Sequence, residues 1–254
     1  MRYCVWSVNR LRPNPSGQDQ TFTIWPLGSG FFVAPQVFLT CNHVVNGTEL
    51  PHQLGDRYQF VQRMSNGSAK ESPRFASVVG QDLHLLPNQD AAIFQLNWVP
   101  QPYVAVGYSD LGEGREIGIA GYRLPQIIAA QPGGQGLINF IYRVARGIIT
   151  STITHAIKPG NGPATAQLNT VEVNFLFVPG NSGGPIFDAD TGRVFAFVHG
   201  YKDSEIVQRY VNTNAQNLSQ GAPAQHVQAL HAVYSLGIKL DAIRTELEGF
   251  GVAL

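Results

Sequence analysis

Short runs of apolar, β-branched or aromatic residues recur along almost the whole chain, each closed off by glycine, proline, asparagine or aspartate. Residues 21–27, 30–34, 37–41, 58–63, 75–79 and 91–96 form one set, and 103–107, 116–122, 137–146, 147–154, 170–177, 185–188 and 193–199 a second. Runs of this length and composition read as β-strands. About a dozen of them, with no helix-length segment between, favour antiparallel barrels over a parallel sheet with helical crossovers. The break at Trp98-Val99-Pro100-Gln101-Pro102 predicts the crossing between two barrels, residues 1–100 and 101–222. The end of the chain differs. Val227, Leu230, Val233, Tyr234 and Leu236 follow a helical spacing with Gly237 placed as a stop, and 238–247 reads as a shorter second helix. Residues 223–254 are therefore expected to be a C-terminal helical segment.

Composition narrows the function classes. Lys+Arg and Asp+Glu number 17 each and only 13% of residues are charged, so no electrostatic footprint suggests a nucleic-acid or acidic-membrane partner. No uninterrupted apolar stretch approaches the roughly 20 residues that span a bilayer. The N-terminal residues turn polar at Asn9, Arg10, Arg12 and Pro13 before a signal-like apolar segment develops. Cys4 and Cys41 are the only cysteines, read as two free thiols in a reducing compartment. The resulting expectation is a soluble, cytoplasmic protein.

The stretch richest in chemistry is Pro179-Gly180-Asn181-Ser182-Gly183-Gly184-Pro185, set between two strand-like runs. A nucleophilic serine needs a tight turn that exposes its hydroxyl, free amides beside it, and no neighbouring Cβ in the path of a carbonyl. Glycines on both sides of Ser182 supply these conditions, with the amides of Gly180 and Ser182 forming an oxyanion hole. An ordinary glycine turn has the same look in isolation, so the partners matter. Of seven histidines, His43 in Leu39-Thr40-Cys41-Asn42-His43-Val44-Val45 sits just past a glycine-led hairpin, where a strand ends; imidazole is the base suited to neutral pH. The orienting carboxylate is assigned to Asp90, at the mouth of the strand 91–96. Asp82 is the rival, but Pro87 shortens the run that follows it.

Taken in order, Gly28-Ser29-Gly30-Phe31, Leu39-Thr40-Cys41-Asn42-His43-Val44, Asp90-Ala91-Ala92-Ile93-Phe94 and Gly180-Asn181-Ser182-Gly183-Gly184-Pro185 resemble the trypsin/chymotrypsin-like serine proteases, and most of all the bacterial HtrA-like (Deg) branch. The likeness extends over about residues 25–240. It implies an all-β fold of two six-stranded antiparallel β-barrels, chymotrypsin-like, here with a C-terminal helix. It also implies a polypeptide substrate cleaved through an acyl-enzyme, with no cofactor and no metal. By position in the family, Leu176 lies at the base of the primary pocket, and Val198-His199-Gly200 pairs with the substrate backbone. An apolar base predicts a small or medium apolar residue before the cleaved bond, while His199 could equally be structural.

Two departures from the pattern stand out. Asn181 replaces the aspartate that digestive members use to bind a newly cut N-terminus, so activity is expected without zymogen cleavage. Too few residues follow Leu236 for the peptide-binding module common in HtrA-like proteins, which leaves room for a regulatory partner or an additional domain.

Two other readings compete. Gly180-Asn181-Ser182-Gly183-Gly184 also fits the G-x-S-x-G elbow of α/β-hydrolases, but that elbow demands a helix straight after the serine and a histidine late in the chain. A protease-fold peptide-binding or latent module is the non-enzymatic alternative, although Ser, His and Asp are all retained. Cys41 and His43 lack a second ligand pair for zinc. Asp188-Ala189-Asp190-Thr191-Gly192 lacks the closing glutamate of a calcium loop and is read as a hairpin turn.

Overall fold

The predicted runs become antiparallel strands in two sheets. In this computed structural model the described residues are 4–13, 22–47, 51–53, 55–63, 69–71, 76–77, 82–97, 100–107, 111–129, 137–157, 166–206 and 230–253. The first sheet contains β1 (Val5–Pro13), β2 (Phe22–Ala34), β3 (Val37–Cys41), β4 (Arg57–Arg63), β7 (Leu83–Leu86) and β8 (Ala91–Gln95). These six run in the order β4-β1-β2-β3-β8-β7, and two short pieces, β5 (Ala69–Glu71) and β6 (Ala76–Ser77), pair with β4. The second sheet is a closed six-stranded barrel. Its members are β9 (Glu116–Ala129), β10 (Leu137–Ile157), β11 (Ala166–Val173), β12 (Pro185–Asp188), β13 (Val194–Ile206) and β14 (Leu230–Lys239). The fold is thus all-β, two antiparallel β-barrel units with a short C-terminal helix.

The two interiors differ in chemistry. The first is aromatic: Phe38 meets Phe32, Phe60 and Phe94 edge-on, with ring centroids 4.6–6.2 Å apart, the geometry that the ring quadrupole favours. The second is mostly aliphatic, built from Ile117, Ile119, Ile149, Val171, Val173, Ile186 and Val198 around Phe177 and Phe195. A chain crossing cements the two. After β14, a 3₁₀ turn (Leu240–Ile243) and helix α2 (Arg244–Gly249) bring Leu240, Ile243 and Leu247 into the core that also holds Phe38 and Phe94.

Several expectations change. Residues 230–239 are strand, not helix; 223–229 lie outside the described residues. Leu230, Ala232, Tyr234, Leu236 and Ile238 also alternate with period two, so the sequence carried both patterns. Barrel closure decided between them, because β14 pairs with β11 and β13 at once. Gly237 is no helix stop: a Cβ there would run into Ile186. The predicted helix over 238–247 forms only from residue 240 onward. Runs 21–27 and 30–34 merge into β2, and 137–146 and 147–154 into β10. Residues 103–107 make only a single bridge, Val106 to Val194. The predicted loops at 131–136 and 158–163 lie outside the described residues. Conversely, 5–13 and 83–86 are strands the sequence reading passed over, and Pro87 opens the 3₁₀ turn (Pro87–Gln89) that joins β7 to β8.

Candidate active site

His43 projects from a single helical turn, α1 (Asn42–Val45), which begins where β3 ends. Asp90 closes the turn after β7 and is the one non-glycine residue with positive φ among those described, at φ 45°. Aspartate tolerates this left-handed conformation better than most residues. The turn aims its carboxylate at α1. Asp90 Oδ2 accepts from His43 Nδ1 at 2.7 Å, and Oδ1 accepts from the His43 backbone amide at 2.9 Å. The Asp90 carbonyl also accepts from the Asn42 amide at 3.0 Å. His43 and Asp90 are therefore locked through both side chain and backbone. Asp82 sits at the other end of the β7–β8 hairpin, its carbonyl bonded to the Gln95 amide. Four strand pairs separate the two, roughly 17 Å at the usual rise per residue.

Electrostatics follow from this geometry. Burial alone would raise the Asp90 pKa, since its side chain is only 1% exposed. The His43 charge and the hydrogen bonds from His199 and His43 outweigh burial and hold the carboxyl far below the usual carboxylate range. Burial lowers the His43 pKa, but the neighbouring Asp90 charge and hydrogen bond win, and the net direction is upward.

Ser182 sits in the loop between β11 and β12, and the glycines around it have a steric explanation. Gly183 has φ 83°, and a Cβ on it would collide with the Ser29 carbonyl and Thr40 Oγ1. The loop thus lies backbone against backbone on β2 and β3, which only glycine permits. Ser29, fully buried, is the junction. Its amide donates to the Ser182 carbonyl (2.9 Å), its hydroxyl donates to the Gly180 carbonyl (2.6 Å), and that hydroxyl accepts from the Tyr122 amide of β9 (2.7 Å). Asn181 is also buried; its Oδ1 accepts from the Val178 amide at 3.1 Å. Among the described residues, the amides of Gly180 and Ser182 donate to no neighbour. The Ser182 hydroxyl donates to the His199 carbonyl at 3.3 Å. A strand, β12, follows Ser182 directly, which removes the α/β-hydrolase reading.

The residues expected to bind substrate separate. Leu176 is 55% exposed, beside the buried Phe177. Val198 is a correction: it is fully buried, its amide donates to the Gly184 carbonyl, and its carbonyl accepts from the Gly183 amide and Cys41 Sγ. Its backbone is committed to the Ser182 loop, leaving His199 and Gly200 half-buried at the edge. His199 does something the sequence did not indicate. Its Nδ1 donates to Asp90 Oδ2 at 2.6 Å, from the opposite barrel. A polar residue between two glycines was the one local hint of Ser29; nothing local pointed from His199 to Asp90.

Cys41, His43 and Asp90 place ligand-type atoms within 4.8 Å of one another. Burial pushes the Cys41 thiol well up, helped by the Asp90 charge, so it stays protonated and donates to Val198 rather than serving as a thiolate ligand. Both cysteines are free and buried. No described helix is long and apolar enough to cross a membrane.

Known proteins match this geometry. The sequence profile of the trypsin-like peptidase domain covers residues 28–196. The probable periplasmic serine endoprotease DegP-like of Marinomonas sp. is 29% identical over 167 residues, 65% of this chain and 28% of that protein. Its namesake from Ectopseudomonas mendocina is 27% identical over 183 residues, 72% and 31% of the two chains. The chain thus spans less than a third of the curated relatives it matches, and their periplasmic names lend no support to a cytoplasmic assignment. Among solved structures, an active-form protease from M. tuberculosis shares the fold at TM-score 0.58 and 15% identity, covering all of this chain and 83% of that one. The HtrA-type protease AlgW with a decapeptide does so at TM-score 0.55 and 16% identity, covering 96% and 63%. With two thirds of its length matched, from the glycine-flanked Ser29 into β13, the chain belongs to the trypsin-like peptidase family.

Proposed function

We propose that the protein is a serine endopeptidase with Ser182 as nucleophile, His43 as general base and Asp90 as the orienting carboxylate. The observation that carries this reading is the 2.7 Å bond from His43 to a buried, ionised Asp90, set beside the loop that presents Ser182. In the resting site the Ser182 hydroxyl rests on the His199 carbonyl; on this reading it leaves that acceptor to donate to His43. His43 Nε2 then takes the hydroxyl proton as Oγ attacks the peptide carbonyl. Asp90 keeps the proton on Nδ1 and stabilises the imidazolium. The unengaged amides of Gly180 and Ser182 receive the oxyanion. His43 returns its proton to the leaving amine, and water hydrolyses the acyl-enzyme by the reverse sequence.

Residues 1–100 supply base and carboxylate on this reading, and residues 101–222 the nucleophile. The buried Asn181, bonded within its own loop, supports an oxyanion site that stands ready without a new N-terminus. The apolar, exposed Leu176 supports a preference for small or medium apolar residues before the scissile bond. A polypeptide is the substrate. The hydroxyl resting on His199 also favours a second reading, a latent site that a bound partner or peptide switches on.

One experiment separates these. The unprocessed chain is treated with a fluorophosphonate probe and with a peptide library, beside Ser182→Ala. Labelling lost in the variant, with turnover reduced on the order of 10⁶, supports the endopeptidase. Labelling that appears only when peptide is added supports latency. Turnover retained in Ser182→Ala overturns both.

A further inference from the structure

Asp90 binds two imidazoles. Its Oδ2 accepts from His43 Nδ1 at 2.7 Å and from His199 Nδ1 at 2.6 Å, while Oδ1 takes the His43 amide. The two rings stand edge to face, centroids 5.5 Å apart and planes at 89°. One carboxylate oxygen has two lone-pair directions, and here each is filled by an N–H from a different barrel. With 1% exposure, Asp90 has no water to replace a lost donor.

The fold delivers His199 to this place by an irregularity. The β13–β14 register shifts between Val198 and Gly200, so His199 lies in a bulge. Bulges beside active sites re-aim a side chain that regular pleating would send elsewhere. The same residue offers its carbonyl to the Ser182 hydroxyl. Among the described residues, the titratable groups acting on Asp90 are His43 from α1, His199 from β13 and Cys41 from β3, the last a thiol held protonated by burial.

We infer that His199 is a positioning residue of the catalytic centre, acting as an Nδ1–H donor that pins the Asp90 carboxylate from the second barrel and so fixes His43 relative to Ser182. This deepens, and rests on, the endopeptidase reading. The role asks for an N–H at one point, not for a base. An asparagine amide presents such a donor close to the position of imidazole Nδ1, whereas alanine and leucine do not.

The test uses the full chain with His199→Ala, His199→Leu, His199→Asn and Ser182→Ala. It reads the phosphonylation rate of Ser182 by a small fluorophosphonate, and kcat and KM on an apolar peptide. Loss of the buried donor should slow phosphonylation and lower kcat about ten- to a hundredfold in His199→Ala and His199→Leu. KM should stay within about twofold, and His199→Asn should recover most of the loss. A wild-type phosphonylation rate in His199→Ala, or an effect confined to KM, overturns the inference in favour of a residue that only lines the substrate groove. A folded His199→Asn as slow as His199→Leu overturns it too, since an imidazole would then be required. Should the apolar variants fail to fold, proton NMR of the wild type decides: two downfield Nδ1–H signals are expected, one lost in His199→Asn, and a single signal in wild type refutes the shared carboxylate. Peptide turnover by Ser182→Ala would bring down the endopeptidase reading itself, whatever the His199 variants do.

Discussion

The two sides of the candidate site, one wall from each sheet, are built by different physics. The wall carrying His43 and Asp90 is electrostatic: a buried carboxylate in a left-handed turn, three N–H donors around it, and an imidazole whose affinity for a proton that charge raises against burial. The wall carrying Ser182 is steric: glycines let one backbone lie on another, and Ser29 bonds across the contact. The difference teaches where each wall is vulnerable. Charge can be neutralised in place without moving atoms, whereas a packed backbone fails when a single methyl is added.

The largest effect should come from the electrostatic wall. Asp90→Asn keeps the shape and removes the charge, and should lower kcat by about 10⁴, as expected when an imidazole loses its orienting carboxylate. The sign of the pH effect is also fixed. The base must be neutral, so activity falls as pH drops through the His43 value, which Asp90 raises above the ordinary value near 6.5. In Asp90→Asn only burial remains, and the acid limb of kcat/KM should move to lower pH. A limb that stays in place would mean that Asp90 does not set the His43 proton affinity.

On the steric wall, Gly183→Ala adds a methyl against the Ser29 carbonyl at φ 83°. Strain and overpacking together should cost about 2–4 kcal/mol of unfolding free energy, read by urea denaturation. A neutral result would show the loop free to shift. The smallest effect expected is that of Ser29→Ala, which removes the hydroxyl that accepts from the Tyr122 amide and donates to the Gly180 carbonyl. Stability should fall by about 1–3 kcal/mol. Phosphonylation of Ser182 should slow by about tenfold through misplacement of the oxyanion loop. An unchanged labelling rate with lowered stability would reduce Ser29 to a structural brace, and the two walls would then be independent.

How much of this was readable beforehand varied by residue. Most strands of the second barrel, β14 apart, were legible because their apolar runs are bounded by glycine, proline, asparagine or aspartate. β1 was not, because Arg10 and Arg12 look like the end of an apolar segment. In the fold Arg10 is fully buried, bonded to the Val45 and Pro51 carbonyls and paired with Asp56, while Arg12 forms an ion pair with the same carboxylate. Such partners lie some 40 residues away and leave no local trace. β14 was misread for a related reason. Its apolar residues satisfy two periods, and only pairing to β11 and β13 chose between them.

By itself the sequence determined what depends on local chemistry: a strand-rich chain, a serine framed by glycines, a histidine at a strand end, an aspartate at a turn. Tertiary structure alone decided which donors reach Asp90, that Val198 faces inward, and that Ser29 stitches the two barrels. The reason is range. Propensity and turn geometry act over a few residues, whereas a hydrogen bond such as His199 to Asp90 joins positions 109 apart and exists only once both barrels have formed.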